Sequence, residues 1–278
     1  MKHWFAVGES VSNFGSIFMK IFLKIVCAAY GLFFVFGAMS VDAAPKLSKA
    51  EVDGRAFVSE LLRMVPREEL DGSATIQRRG PKGRLPELRA NLQIYHLQDV
   101  NGTWANVFTA VGGEAAEGEV RAFAVYRQKG KRSKYSTEVD KMRVADAFMK
   151  SFTGDASMQP FAGSDFWIAD FGFEFLAWDD QRKVKEEMQR SQWCVVLESR
   201  NLKPAKNGYS RIKAWFDKDT NGLVQAYAYD AEGKWLKIFK PTSFKKIEGQ
   251  YHLKEMEIRN VQTRTVTKII YNLKARKK

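Results

Sequence analysis

From Leu47 to Pro66 the apolar positions recur every three to four residues. Val52, Ala56, Val58, Leu61, Leu62 and Val65 form the stripe, and Pro66 ends it. Ser48 and Glu51 make a capping box, in which hydroxyl and carboxylate each satisfy a free backbone N–H. The spacing predicts an amphipathic helix lying on something apolar. Beyond it the period falls to two. "GSATIQRRG", "RANLQIYHLQDV", "TWANVFTAVGG" and "GEVRAFAVYRQKG" read as strands. Asn101-Gly102 joins the second to the third, because both residues tolerate positive φ. In the fourth, Phe123 and Val125 alternate with Ala122 and Ala124. "SKYSTEV" continues the sheet, and "DKMRVADAFMKSF" is a helix or a loop with one turn. Six further strand patterns follow: "QWCVVLESR", "YSRIKAWFDKD", "GLVQAYAYD", "WLKIFKPTSFKKI", "YHLKEMEIRN" and "RTVTKIIYNLK". Turn residues at 219–222, 231–233 and 248–249 separate several of them. No βαβ rhythm and no repeat is present. The pattern predicts a mainly β chain with helices (α+β), built as an antiparallel meander.

One stretch departs from this alternation. "FAGSDFWIADFGFEFLAW", Phe161 to Trp178, holds seven aromatic rings in eighteen residues. Read as a helix, Ile168, Phe171, Phe175 and Trp178 share a face; read as a strand, Phe171, Phe173 and Phe175 do. Ser164 and Asp165 are cap candidates, and Gly172 weakens the middle of a helix. The expectation is a short helix to about Phe171 and then an extended piece. In either reading an aromatic face is hidden in the core or left for a ligand.

The N-terminus bears on compartment. Lys20 and Lys24 precede an apolar run from Ile25 to Ala38, and Val41 and Ala43 occupy the −3 and −1 positions of a cleavage site before Ala44. Residues 1–43 therefore read as a secretory signal peptide, with an uncleaved anchor as the competing reading. Residues 1–18 add nothing to a leader and are either an extended n-region or an upstream start. Residues 44–278 form one domain. Cleavage removes Cys27 and leaves Cys194 alone, a small hydrophobe on a strand. The net charge of +13 suggests an anionic partner or a scattered basic surface.

Reactive constellations are missing. There is no phosphate loop, no H-E-x-x-H and no C-x-x-C. His96 and His252 remain after cleavage, too few for a metal set. Asp179-Asp180 and Glu186-Glu187 read as surface acids beside Lys183 and Lys185. The chain is expected to be no enzyme and to need no cofactor.

Several segments together resemble the outer-membrane lipoprotein-sorting (LolA-like) family. "FAGSDFWIADF" is similar to its F-x-G-[ST]-D-F segment, and "CVVLESR" to the strand that follows. Further matches are Tyr209-Ser210-Arg211, Trp215 to Thr220, Tyr229 to Lys234, Lys245 to Gly249 and Met256 to Asn260. Order and spacing hold over residues 161–272. The chain departs where Gly222-Leu223-Val224 replaces a strand with proline and Ile168-Ala169 replaces Tyr-Glu. The resemblance implies a curled antiparallel sheet, an unclosed half-barrel covered by helices, with an apolar cavity between. It implies a periplasmic monomer carrying lipoprotein acyl chains or other lipids. Phe161, Phe166, Trp167, Ile168, Phe171, Phe173, Phe175 and Trp178, with Phe123 and Val125, are then the cavity wall or lid. An anionic membrane surface is a further partner, and nucleic acid is excluded by export. An envelope-sensing or protein-interaction module on the same fold is the alternative.

Overall fold

A computed structural model describes residues 46–276 except 99, 114 and 115. The leader and Cys27 lie outside the described residues. Helix α1 (Lys49–Leu62) starts as its sequence predicts. Ser48 Oγ accepts from Glu51 N at 3.3 Å, and Glu51 Oε2 accepts from Ser48 N at 2.8 Å. Its buried face is Gly54, Val58 and Leu61, whereas Val52, the first residue of the expected stripe, is half exposed. Gly54 matters because a Cβ there would come within 2.5 Å of the Gln181 carbonyl oxygen. The helix thus rests directly on the backbone of strand β7 (Asp180–Gln189). That strand was not anticipated. Its side chains are mostly charged, and Lys183–Glu186 and Lys185–Glu187 pairs at 2.6 Å occupy it.

The remaining strands are β1 (Leu70–Gly80), β2 (Gly83–Arg84), β3 (Leu88–His96), β4 (Thr103–Val111), β5 (Ala122–Gln128) and β6 (Lys134–Ser136) before β7. After it come β8 (Gln192–Arg200), β9 (Arg211–Asp217), β10 (Leu223–Tyr229), β11 (Trp235–Ile247), β12 (Gln250–Asn260) and β13 (Thr265–Ala275). They form one 13-stranded sheet in the order β6-β5-β4-β3-β1-β13-β12-β11-β10-β9-β8-β7, with β2 on β1. Neighbouring strands are antiparallel, so the meander is as read. The join is not local: β1 pairs with β13 from Leu70↔Ala275 to Arg79↔Val266. Of the Asn101-Gly102 pair only Gly102 takes positive φ, 70°. Helical structure is sparse among the described residues: α1, α2 (Val144–Met149), α3 (Ile168–Gly172) and two 3-10 turns, Gly154–Ser157 and Glu174–Ala177.

Two hydrogen bonds reveal the curvature. Arg127 on β5 donates to the Phe171 carbonyl, and Gln181 on β7 donates to the Phe175 carbonyl. These strands are ten places apart in the sheet, roughly 48 Å if it were flat. The two carbonyls are four residues apart, at most roughly 14 Å along the chain. The sheet therefore curls around the aromatic segment without closing.

Its inner face carries the main core, including Phe123, Val125, Leu92, Ile76, Ile269, Ile258, Phe239, Ala226, Ala214 and Leu197. The outer face has two smaller clusters. Ala124 and Tyr126 lie beneath α2, with Tyr126 edge-on to Phe148. Cys194, buried and free, packs with Val196, Trp215 and Val224.

Candidate ligand-binding hollow

Residues 161–178 line the inside of the curl, and their conformation follows from how they are pinned. Asp165 is not a helix cap. Its carboxylate accepts from Thr265 Oγ1 at 2.5 Å and Thr267 Oγ1 at 2.8 Å, which ties the segment to β13. The cap role falls to Asp170, whose Oδ2 accepts from Trp167 N at 2.7 Å at the start of α3. Gly172 ends this helix rather than weakening its middle. A Cβ there would meet the Tyr135 hydroxyl at 2.2 Å, so only glycine lets the ring in. Phe173 then adopts φ of 51°, the left-handed region that costs a residue with Cβ of order 1–2 kcal/mol. The chain continues into the Glu174–Ala177 turn instead of the extended piece expected. That turn is short because Phe175 and Trp178 carbonyls must both reach Gln181 Nε2, each at 2.8 Å.

At the right of the segment lies a buried polar knot. Lys237 on β11 is 1% exposed. Its Nζ donates to Tyr209 Oη at 2.7 Å, and Tyr209 Oη donates to Asp170 Oδ1 at 2.9 Å. The ammonium stands 3.7 Å from Asp170 Oδ2 and 3.5 Å from the centre of the Trp167 ring, which stacks on Tyr209 at 4.4 Å. Burial pushes Lys237 down to about 8, against the pull of Asp170. Burial likewise raises the Asp170 carboxyl and the Tyr209 phenol. A charge pair removed from water this far survives only with such hydrogen bonds around it.

To the left the segment does not fill the curl. A hollow of about 210 Å³ remains between Phe166, Phe171 and Phe173 and the inner faces of β3, β4, β12 and β13. Leu92, Ile94, Phe108, Leu253, Met256, Tyr271 and Leu273 make its apolar wall. Asn106, Arg127, Asp170 and His252 supply its polar groups. Phe173 also borders two smaller voids, about 100 Å³ beside Leu61 and Ser133 and about 20 Å³ beside Phe175 and Phe239. Phe173 thus lines all three.

Of the ten residues proposed as wall or lid, Phe166, Phe171 and Phe173 face this hollow. Phe161, Phe123 and Phe171 form an aromatic cluster with Phe108, with ring centres 4.6–6.4 Å apart. Val125 and Ile168 are fully buried beside them. Trp167 belongs to the knot, Phe175 borders the smallest void, and Trp178 packs partly buried on the core. Sequence reasoning missed Lys237, Asn106, Arg127 and His252. A signal existed for two of them: Arg127 follows Val125 by two on the inner face, and Asn106 precedes Phe108 by two. Lys237 sits two before Phe239 in the same way, but its charge disguised the phase.

No group of three or more His, Cys, Asp or Glu side chains able to hold a metal occurs among the described residues. No described helix is long and apolar enough to cross a membrane.

Comparison with known proteins places this geometry. A family described only as "Uncharacterized protein" matches residues 146–276. No curated protein matches the sequence. Among solved structures, a domain of Vibrio parahaemolyticus described as an outer membrane lipoprotein-sorting protein is similar. It aligns over 81% of this chain and 93% of its own, with a TM-score of 0.62 and 16% identity. A DUF1329 family protein of Desulfovibrio piger aligns over 82% and 94%, with a TM-score of 0.58 and 16% identity. A LolA superfamily protein of Nitrosomonas europaea aligns over 83% and 96%, at 0.49 and 14%. With its unclosed antiparallel sheet wrapped around an inner aromatic segment, the chain has a LolA-like fold.

Proposed function

We propose that this chain is a non-enzymatic periplasmic carrier, or binder, of lipid acyl chains, those of lipoproteins included. The observation that carries this reading is the hollow of about 210 Å³, open on the inner face and walled mostly by apolar side chains. An engineered apolar cavity of about 150 Å³ suffices to bind benzene, so a segment of one chain fits. Pockets for drug-sized ligands run to roughly 300–1,000 Å³. A whole chain therefore needs more room than the hollow gives with Phe173 in place. Displacing Phe173 would join the neighbouring voids to it. Each CH₂ buried contributes about 0.8 kcal/mol, enough to hold a chain without a covalent step and still release it. In this reading the curl acts as a half-barrel and the aromatic segment as its inner cover.

The hairpin of β11 and β12 supports contact with an anionic membrane. Phe244 and Tyr251 are 49% and 71% exposed near its tip, flanked by Lys245, Lys246 and Lys254. Aromatic rings and lysines together suit an anionic lipid surface, each Lys adding up to about 1 kcal/mol. The leader reading supplies the periplasmic location.

The test is direct. Protein recovered from the periplasm is extracted and analysed by mass spectrometry, and delipidated protein is titrated with a fluorescent fatty-acyl probe. Bound acyl species and saturable binding are expected, with binding lost in Leu273→Arg. A wild-type chain that binds no probe overturns the proposal.

A second reading, a protein-interaction module, draws on the outer face. Trp215, Tyr227 and Trp235 form a run of ring contacts at 5.0 and 5.4 Å, and Trp235 is half exposed. A stable protein partner captured equally by wild type and Phe171→Asp would favour it.

A further inference from the structure

Three polar atoms around the hollow are buried without a hydrogen-bond partner: Asn106 Oδ1, Arg127 Nε and His252 Nε2. Unpaired buried polar atoms are uncommon in folded chains and call for an explanation. Here they belong to residues on three strands, β4, β5 and β12, that line one cavity. The Arg127 guanidinium spends one N–H on the Phe171 carbonyl at 3.0 Å. No carboxylate pairs with it among the described residues. Asp170 lines the same hollow, but its oxygens are already engaged by Trp167 N, Tyr209 and Lys237. An unbalanced positive charge thus stands at the edge of an otherwise apolar space. A neutral hydrocarbon would leave all three groups unsatisfied. An oxyanion at the end of an alkyl chain would pair the guanidinium, accept from His252, and accept from Asn106 once its amide turns over.

We propose that the natural ligand is a single-chain anionic amphiphile of the fatty-acid class, held by its carboxylate on Arg127, Asn106 and His252 with its tail along Phe108, Phe166 and Phe171. This deepens the acyl-binding reading and rests on it. Charge-assisted hydrogen bonds in a dry site are the strong ones and fix orientation, so the head enters first. Arginine suits the task because its planar fork matches a carboxylate or phosphate.

The test titrates delipidated chain with oleate, a monoalkyl phosphate of equal length, and neutral monoolein. Wild type is expected to prefer oleate over monoolein by roughly tenfold or more. Arg127→Gln should erase that preference, read as the ratio of oleate to monoolein affinity within the same variant. His252→Ala should reduce it about threefold and decides the matter if Arg127→Gln fails to fold. Tighter binding of the alkyl phosphate than of oleate overturns the carboxylate assignment. Equal affinity for oleate and monoolein overturns the head-group proposal and leaves acyl binding standing. Binding of none of the three overturns both.

Discussion

The aromatic segment covers two parts of one inner face in opposite ways. Over β9, β10 and β11 the strands present Ala214, Ala226 and Ala228, and the segment settles closely onto them. The void left there is about 20 Å³, room for a single water. Lys237, Tyr209 and Asp170 fasten it, with hydrogen bonds on every side. Over β3, β4, β12 and β13 about 210 Å³ stays unfilled, and Asn106 Oδ1, Arg127 Nε and His252 Nε2 beside it lack partners. The same eighteen residues are an anchor on one side and a roof on the other. The difference teaches that aromatic content does not locate a site. What locates it is the mismatch between cover and floor, together with the polar groups left unsatisfied there.

The sharpest way to break this comparison is at the anchor. Asp170→Asn strands the Lys237 ammonium in the core, and a loss of about 3–5 kcal/mol in denaturant unfolding is expected. Adding Lys237→Met should return much of it, since the uncompensated charge is then gone. A single substitution that costs nothing would mean the knot does not hold the segment. Next come matched insertions. Ala226→Leu on the filled side should cost about 1–3 kcal/mol by overpacking, whereas Ile94→Phe on the open side should cost clearly less and weaken acyl-probe binding. Equal costs would deny that the two halves differ. Gly172→Ala, which drives a methyl into the Tyr135 ring, should cost a similar 1–3 kcal/mol or so without touching the hollow's floor.

The last effect is in pH. Lys237 has its pKa pushed down to about 8 by burial, below its usual value of 10.5. Between those values the unfolded chain holds a proton that the folded chain has released, so this residue's contribution to stability rises with pH across that window. Below about pH 8 both states are protonated and the burial penalty is fully present. Wild-type stability minus that of Lys237→Met, followed from pH 7 to 10.5, should climb. A flat difference would place the ammonium in a better-solvated setting than the structure gives it.

Much of the fold was legible. The capping box at Ser48 and Glu51, the period-two strands from Gln192 onward and the glycine turns are local signals, and local backbone preference is enough to read them. Strand β7 was not, because charged side chains follow one another there with no apolar alternation, and α1 rests on its backbone through Gly54. The aromatic segment was recognised as special, but its path was misread after Phe171. Phe173 adopts a conformation that residues with Cβ avoid, and only Gln181, Ser133 and Arg127 holding its neighbours' carbonyls impose it.

By itself the sequence determined which residues turn to the same side of each strand, where strands stop, and that a dense group of rings had to be shielded. Only the tertiary structure decided that β1 would close onto β13, that Lys237 would be buried on Asp170, and that the left half would stay hollow. A periodic pattern encodes direction along one strand. A void is the volume left over among strands far apart in the chain, and it exists only once the sheet has curled.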